Sequence, residues 1–406
     1  MALGQTITGF TDQGLDLGTK YVTKEYISTF YPNLVPSMKQ PTLYAWGQNL
    51  YGNLGDGTII NKSSPVTVLG TGAAWVQIAA SFHSFTINSS GGIKSDGTLW
   101  TWGHNTTYGM LGDGTTVNKS SPITTAGGGT NWRQVACGYY AAAAIKTDGT
   151  LWTWGFNAYG QLGDGTVVNR SSPVTTVGGG TNWRQVAAGG YYSTAAVKTD
   201  GTLWTWGNNG DGQLGDGTVA NRSSPVTTVA GGTNWRQVAC GYSIAAIKTD
   251  GTLWTWGWNS SYGQLGDGTT INRSSPVTTA GGGTNWSQVS TGGMTVCAIK
   301  SDGTLWTWGY NGYGEVGDGT QVDKSSPVTT VAGGTNWRQV ACSYSVAAVK
   351  TDGTLWTWGY NNNGQLGDGT VANRSSPVTT VAGGTNWKSV AAGMGAFLAI
   401  SEAQGY

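Results

Sequence analysis

Seven carboxylates recur in glycine loops along this 406-residue chain: Asp56, Asp113, Asp164, Asp216, Asp267, Asp318 and Asp368, each as Gly-Asp-Gly. Acidic groups in such loops are the raw material of calcium sites, but a cation site needs several oxygen ligands converging within one short loop. Here each loop offers one carboxylate, and Lys or Arg follows six residues later, as in Asp164 and Arg170. The pattern favours an Asp–Arg or Asp–backbone bond that fastens the loop, and no metal is expected. Asp211, Glu315, Asp323 and Glu402 are scattered over different units and form no readable acid/base pair. His83 and His104 stand in separate units without metal-ligand spacing. No Gly-x-Ser-x-Gly elbow occurs. Cys137, Cys240, Cys297 and Cys342 lack C-x-x-C spacing. Three of them fall at one equivalent Val-Ala-Cys position where sister units carry Ala or Ser, which reads as a small buried side chain. The residues predict no catalytic group and no cofactor.

The chemistry the chain does offer is recognition. After each recurring Trp-Gly the next residue is Gln48, His104, Phe156, Asn208, Trp258, Tyr310 or Tyr360. A second variable stretch gives Gly138-Tyr139-Tyr140, Gly190-Tyr191-Tyr192 and Gly293-Met294. Aromatics are favoured interface anchors, so His104, Phe156, Trp258, Tyr310, Tyr360, Tyr140 and Tyr192 are the candidate binding residues. Free variation of surface loops is the competing reading.

These loops must be held by the stretch that repeats. Thr98-Leu99-Trp100-Thr101-Trp102-Gly103 returns at Thr150, Thr202, Thr252, Thr304 and Thr354, with a worn copy at Thr42. The spacings are 56, 52, 52, 50, 52 and 50 residues, a period that declares a repeat architecture. Alternation along Thr150–Gly155 sends Trp152 and Trp154 to one face and Leu151 to the other. Asn169–Val174 reads as an edge strand opened by Pro173, which lacks a ladder donor. Trp183–Gly189 and Ala195–Lys198 read as two more strands, and Thr199-Asp200-Gly201 as the tight hairpin into the next unit. Four short antiparallel strands per fifty residues predict an all-β fold, a β-propeller with one blade per unit. Stacked blades would bury the Trp pairs, each ring removing roughly 150–250 Å² from water.

The chain ends predict how the ring shuts. Thr42 lacks the Asp-Gly turn of the other units, and Phe397–Ser401 lacks a following Thr-Leu-Trp. Pairing these two strands completes a seventh blade from both termini. The predicted organisation is a leader over 1–41 and a seven-bladed propeller over 42–406.

Charge excludes one partner class. The formal net charge is +1, and 18 of 21 bases fall at three recurring places, so they are spread around the array and form no basic stripe for nucleic acid. No apolar run reaches the roughly 18 residues needed to span a bilayer, and no signal peptide opens the chain. A soluble product made in the cytoplasm is expected.

The series Trp-Gly-x-Asn, Gly-Gln-Leu-Gly-Asp-Gly-Thr, Pro-Val, Gln-Val-Ala-Ala-Gly and Lys-x-Asp-Gly-Thr-Leu resembles the regulator of chromosome condensation repeat over residues 42–406. That resemblance implies a seven-bladed propeller that binds proteins through its faces. The His that usually follows the Val-Ala-x-Gly strand is met only by His83, with Tyr140, Tyr192, Tyr242, Met294, Tyr344 and Met394 near that place elsewhere. The departure speaks against chromatin binding and exchange-factor activity. Within the leader, Asp16-Leu17-Gly18 and Tyr21-Val22-Thr23-Lys24-x-Tyr26 resemble openings of virion or tail-associated proteins of tailed phages. Val22, Tyr26 and Phe30 stand at helical spacing, though a strand also suits them. Three functional readings follow. The first is a non-enzymatic virion structural or adaptor protein whose leader, through Tyr21, Val22, Tyr26 and Phe30, docks to other virion proteins while the propeller meets host-surface protein or glycan. The second is a soluble protein-binding propeller that inhibits or regulates a partner enzyme. The third is a lectin-like glycan binder using Trp258 or Tyr310.

Overall fold

The computed structural model describes residues 41–70, 72–81, 88–188 and 190–402. His83 and the leader residues Tyr21, Val22, Tyr26 and Phe30 lie outside the described residues.

Alternating apolar positions broken by glycine turns give every unit the same sheet. In blade 2 the strands are Trp132–Cys137, Ala141–Lys146, Leu151–Gly155 and Arg170–Thr175, running from the channel outward in chain order. Among the described residues seven such four-stranded antiparallel sheets occur, as the period requires. Pro173 falls in the irregular stretch between Arg170 and Val174 of the outermost strand, where its missing N–H costs no ladder bond. Six sheets are continuous in sequence, numbered in chain order from blade 1 (Trp75–Ala80, Ser89–Lys94, Leu99–Gly103 and Lys119–Thr124) to blade 6 (Trp337–Cys342, Ser345–Lys350, Leu355–Gly359 and Arg374–Thr379). The seventh orders Trp387–Ala392, Ala396–Ser401, Thr42–Gly47 and Lys62–Thr67, with Thr42 opposite Ser401 through Gly47 opposite Ala396. The predicted closure is therefore the one observed.

Each blade buries its Trp face on the Leu face of the blade before it. Trp154 is completely buried with Trp132 and Val135 against Ile93 and Leu99 of blade 1. Its indole N–H, like those of its six counterparts, reaches a loop carbonyl of the preceding blade. Examples are Trp154 to Met110 at 2.9 Å, Trp206 to Gln161 at 2.9 Å and Trp46 to Gln365 at 2.8 Å, so the bond crosses all seven seams. Gly163 shows why the loop needs glycine. Its φ is +67°, and an added Cβ would stand 2.7 Å from Trp206 Nε1. Nearer the axis a glutamine joins neighbours as an extra strand would. Gln134 Nε2 donates to Val186 O at 2.9 Å and its Oε1 accepts from Val186 N at 3.1 Å. Six seams carry this pair of bonds. The composite blade has Ser389 at that place.

The expectation that both rings of each Trp pair are buried between blades needs correction. Trp152 and its equivalents are half-buried. Lys146 Nζ lies 4.7 Å from the centroids of both Trp132 and Trp152, a cation held between two indoles. Trp152 Nε1 is in turn held by Thr150 Oγ1 at 3.0 Å, so the ring has a wet, polar edge near the Asp-Gly turn. Six blades repeat this clamp. In the seventh, Ser401 takes the lysine's place, and Tyr44 and Trp387 close on each other at 5.4 Å. Ser401→Lys supplies the seventh cation and is expected to raise stability by about 1 kcal/mol, read as a higher thermal midpoint. An unchanged or lower midpoint would show that the collapsed pair cannot reopen.

Candidate protein-binding face

Antiparallel order decides which loops share an end of the propeller. The first and third strands of a blade run the same way, so the tip of the first hairpin and the loop after Trp-Gly emerge together. In blade 2 these are Gly138–Tyr140 and Phe156–Asn169; the Asp-Gly turns occupy the opposite end.

The long loop is fastened from inside. Asn157, fully buried, donates through Nδ2 to Asp164 Oδ1 at 3.1 Å, Thr166 O at 3.1 Å and Val168 O at 3.1 Å, while its Oδ1 accepts from Leu162 N at 2.9 Å. Asp164 also accepts from Thr166 N at 3.0 Å and Oγ1 at 2.7 Å and pairs with Arg170 at 3.0 Å. Burial pushes the Asp164 carboxyl up, but the bonds from Thr166, Arg170 and Asn157 outweigh it and leave its pKa below the ordinary value. An Asp–Lys or Asp–Arg pair recurs in all seven Gly-Asp-Gly loops, as the spacing predicted. These carboxylates are committed to the scaffold, and no group of three or more His, Cys, Asp or Glu able to hold a metal occurs among the described residues.

On this frame the aromatic side chains meet. Tyr108 contacts Tyr140 at 4.8 Å and Phe156 at 4.6 Å; Tyr192 touches Tyr139 and Tyr159 at 4.8 Å and Phe156 at 5.4 Å. Contacts continue through Tyr191 and Tyr242 at 5.2 Å, Tyr242 and Trp258 at 5.5 Å, and Trp258 and Tyr262 at 5.9 Å. The path ends through Tyr262 and Tyr310 at 4.9 Å, Tyr310 and Tyr313 at 5.9 Å, and Tyr313 and Tyr360 at 4.9 Å. An unbroken band of rings thus runs from the loop of blade 1 to that of blade 6. Of the sequence candidates it contains Phe156, Trp258, Tyr310, Tyr360, Tyr140 and Tyr192. Tyr360 is buried at 9% exposure at the band's end. Among the described residues His104 has no ring contact with the band; it too is buried, its Nε2 2.7 Å from Thr106 Oγ1 and its ring 4.9 Å from Tyr51. Burial holds the His104 pKa below the ordinary value.

Backbone geometry marks the same face. Tyr140, Tyr191 and Tyr192 have φ of +83°, +54° and +65°, a region that side chains other than glycine enter at a cost of order 1 kcal/mol. The sequence reading passed over Tyr108, Tyr159, Tyr262 and Tyr313. Their signal is a Tyr immediately before the loop glycine, present in five of the seven units with Tyr51-Gly52 included and replaced by Asp211 and Asn363 in the other two. It set Glu315 aside as one of the scattered acids, but this side chain is fully buried in the Tyr310–Asp323 loop. Oε2 of Glu315 accepts from Tyr313 N at 2.9 Å, and Oε1 has no partner among the described residues.

The axial channel, about 220 Å³, is lined chiefly by Val, Ala, Cys and a few polar side chains such as Gln288 and Thr291. Burial pushes the thiols of Cys137 and Cys240 in its wall up to about 12, away from the thiolate form.

The sequence profile of the regulator of chromosome condensation (RCC1) repeat matches residues 42–87, 96–145, 148–196, 200–247, 250–299, 302–349 and 352–400. The chain is 33% identical over 289 residues to the ultraviolet-B receptor UVR8 of Arabidopsis thaliana, covering 70% of this chain and 64% of the receptor. It is 31% identical over 311 residues to the E3 ubiquitin-protein ligase HERC2 of Homo sapiens, covering 75% of this chain and 6% of the ligase. The chain thus spans less than two thirds of the length of either relative. Among solved structures, human WBSCR16 superposes with a TM-score of 0.77 at 21% identity, over 90% of this chain and all of that one. Prp20p of Saccharomyces cerevisiae gives 0.77 at 18% identity, over 90% and 93%. Both share the fold. The profile matches begin at residue 42, so they lend the phage-like reading of the leader no support. Seven consecutive matched repeats, one for each sheet seen in the structure, establish that the chain belongs to the regulator of chromosome condensation repeat family.

Proposed function

We propose that this chain is a non-enzymatic, protein-binding propeller that regulates its partner, and that the aromatic band is the docking face. The observation that carries this reading is the unbroken series of ring contacts from Tyr108 to Tyr360, half-buried at most positions and built partly on left-handed tyrosines. Half-buried Tyr and Trp bring large contact area at little entropic cost, the composition of interface hot spots. Relatives point the same way. Prp20p is described by its binding to Gsp1p and histones, and yeast RCC1 (Prp20) has been seen with Kap60 bound. UVR8 is a receptor, and HERC2 a ligase in which the matching part is a small fraction. They favour the regulatory reading over the virion reading, whose support lies in residues 16–26, outside the described residues. A cytoplasmic location fits this reading and is part of the proposal.

Affinity capture with the full chain tests it, comparing the native protein with Trp258→Ser, with Tyr192→Ser and with Lys248→Ser on the opposite end. Specific partners are expected to be lost at least tenfold with the first two and kept with the third. Retention by both aromatic variants would remove the band as the docking face.

A further inference from the structure

The loop position before the second leucine or valine is Gln161, Gln213, Gln264 and Gln365 in four units, and Glu315 in one. The local job is the same in all of them but Gln264, whose side-chain amide has no partner among the described residues. Gln161 Oε1 accepts from Tyr159 N at 3.0 Å, Gln365 Oε1 from Asn363 N at 2.8 Å, and Glu315 Oε2 from Tyr313 N at 2.9 Å. The amides of Gln161, Gln264 and Gln365 also leave Nε2 without a partner among the described residues, but this unit alone puts an ionisable acid there, its second oxygen buried and likewise unpartnered. A buried polar atom left so costs stability and calls for a functional account.

Its surroundings supply one. Tyr310 stacks edge-on with Tyr262 at 4.9 Å, Tyr313 at 5.9 Å and Tyr344 at 6.2 Å, and all four rings are half-buried. The 6.2 Å between Tyr310 and Tyr344 nearly matches the 6.3 Å between Trp132 and Trp152, the ring pair that holds Lys146 in this same protein. We propose that Glu315, with Tyr310, Tyr344, Tyr313 and Tyr262, forms a subsite on the docking face that takes a lysine side chain of the protein partner. The inference rests on the docking face proposed above. The aliphatic stem lies along the rings, the ammonium is attracted by their faces, and the carboxylate is the counter-charge in a site of low dielectric.

Burial first, and the nearby Asp323 charge, push the Glu315 carboxyl up to about 8. It is therefore mostly protonated at neutral pH, and an entering ammonium ionises it and displaces its proton. The Tyr310 and Tyr344 hydroxyls, raised by burial and then by the Glu315 charge, stay protonated over this range.

The test is calorimetric or NMR titration of the full chain with N-acetyl-lysine methylamide, using the norleucine analogue as the neutral isostere. The lysine probe is expected to bind at least tenfold more tightly than norleucine. Its affinity should rise about tenfold per pH unit from pH 6 towards 7.5 and level off above pH 8. Glu315→Gln should lose at least tenfold at pH 8 and all of that pH dependence. Equal binding by the native protein and Glu315→Gln, or equal binding of norleucine, would overturn the subsite. This titration uses no partner. A lost subsite with partner capture still sensitive to Trp258→Ser and Tyr192→Ser therefore refutes only the subsite, and insensitive capture refutes the docking face.

Discussion

Replacing Glu315 with Gln is expected to raise the unfolding free energy at pH 8 by about 3 kcal/mol and to flatten its dependence on pH. The carboxyl ionises near its ordinary 4.5 in the unfolded chain and near 8 in the folded one. Between those values the folded state binds more protons than the unfolded state, so native stability falls as pH rises through the window. At pH 8 the accumulated penalty approaches about 4 kcal/mol. The amide that replaces the acid keeps the bond to Tyr313 N but brings an Nε2 of the kind left unpartnered in Gln161, Gln264 and Gln365, which takes back about 1 kcal/mol. Denaturant titrations should therefore place the two proteins within about 1 kcal/mol of each other at pH 4.5, with the variant increasingly the more stable at pH 6.5 and pH 8. Parallel curves would mean that Glu315 is solvated and ionised in the native state.

Deleting residues 396–406 is expected to abolish the single cooperative unfolding transition. The strand Ala396–Ser401 lies between Trp387–Ala392 and Thr42–Gly47 and pairs with both along its length. Phe397, Leu398 and Ile400 are wholly buried, with Phe397 stacked on Trp46 at 5.9 Å and Leu398 and Ile400 packed in one cluster with Trp75 and Trp102. Three such side chains contribute about 5–8 kcal/mol by burial alone, comparable with the entire net stability of many domains. An open repeat array would lose an end unit and unfold from there; a closed ring loses a seam on each side of the missing strand. Indole fluorescence during thermal unfolding separates the two. A broad or absent transition, with the exposed Trp46 already red-shifted at low temperature, is the expected result. A sharp transition at the native midpoint would contradict ring closure by this strand.

Much of the frame was legible because each unit repeats its own punctuation. Asp-Gly before Thr-Leu-Trp fixes a hairpin, Pro marks the outer edge, and the missing turn before Thr42 points to the strand around Leu398. These are local signals, restated in unit after unit, so tertiary context had little room to override them. The half-burial of Trp152 was not legible, since alternation gives the face of a side chain and not its distance from the blade's wet end. The glutamines at Gln134 and its equivalents read as unremarkable polar residues, although each supplies two bonds across a seam. The aromatic band was half read. Variation after Trp-Gly exposed Phe156, Trp258 and Tyr310, but the tyrosines before the loop glycines were masked by the turn signal beside them. Glu315 escaped because Gln to Glu looks conservative at the surface, and only burial makes the extra charge costly. His104 was grouped with the aromatic candidates by its position alone; its buried ring faces the half-buried Tyr51.

The account turns on which end of the propeller meets other proteins. Hydrogen exchange of the full chain, alone and saturated with a captured partner, measures this directly. Slowed exchange is expected in the loops around Phe156–Gly160, Tyr191–Tyr192, Trp258–Gly263 and Tyr310–Glu315. Protection confined to the Asp-Gly turns near Asp148, Asp200, Asp250 and Asp302, with the aromatic loops unchanged, would contradict it.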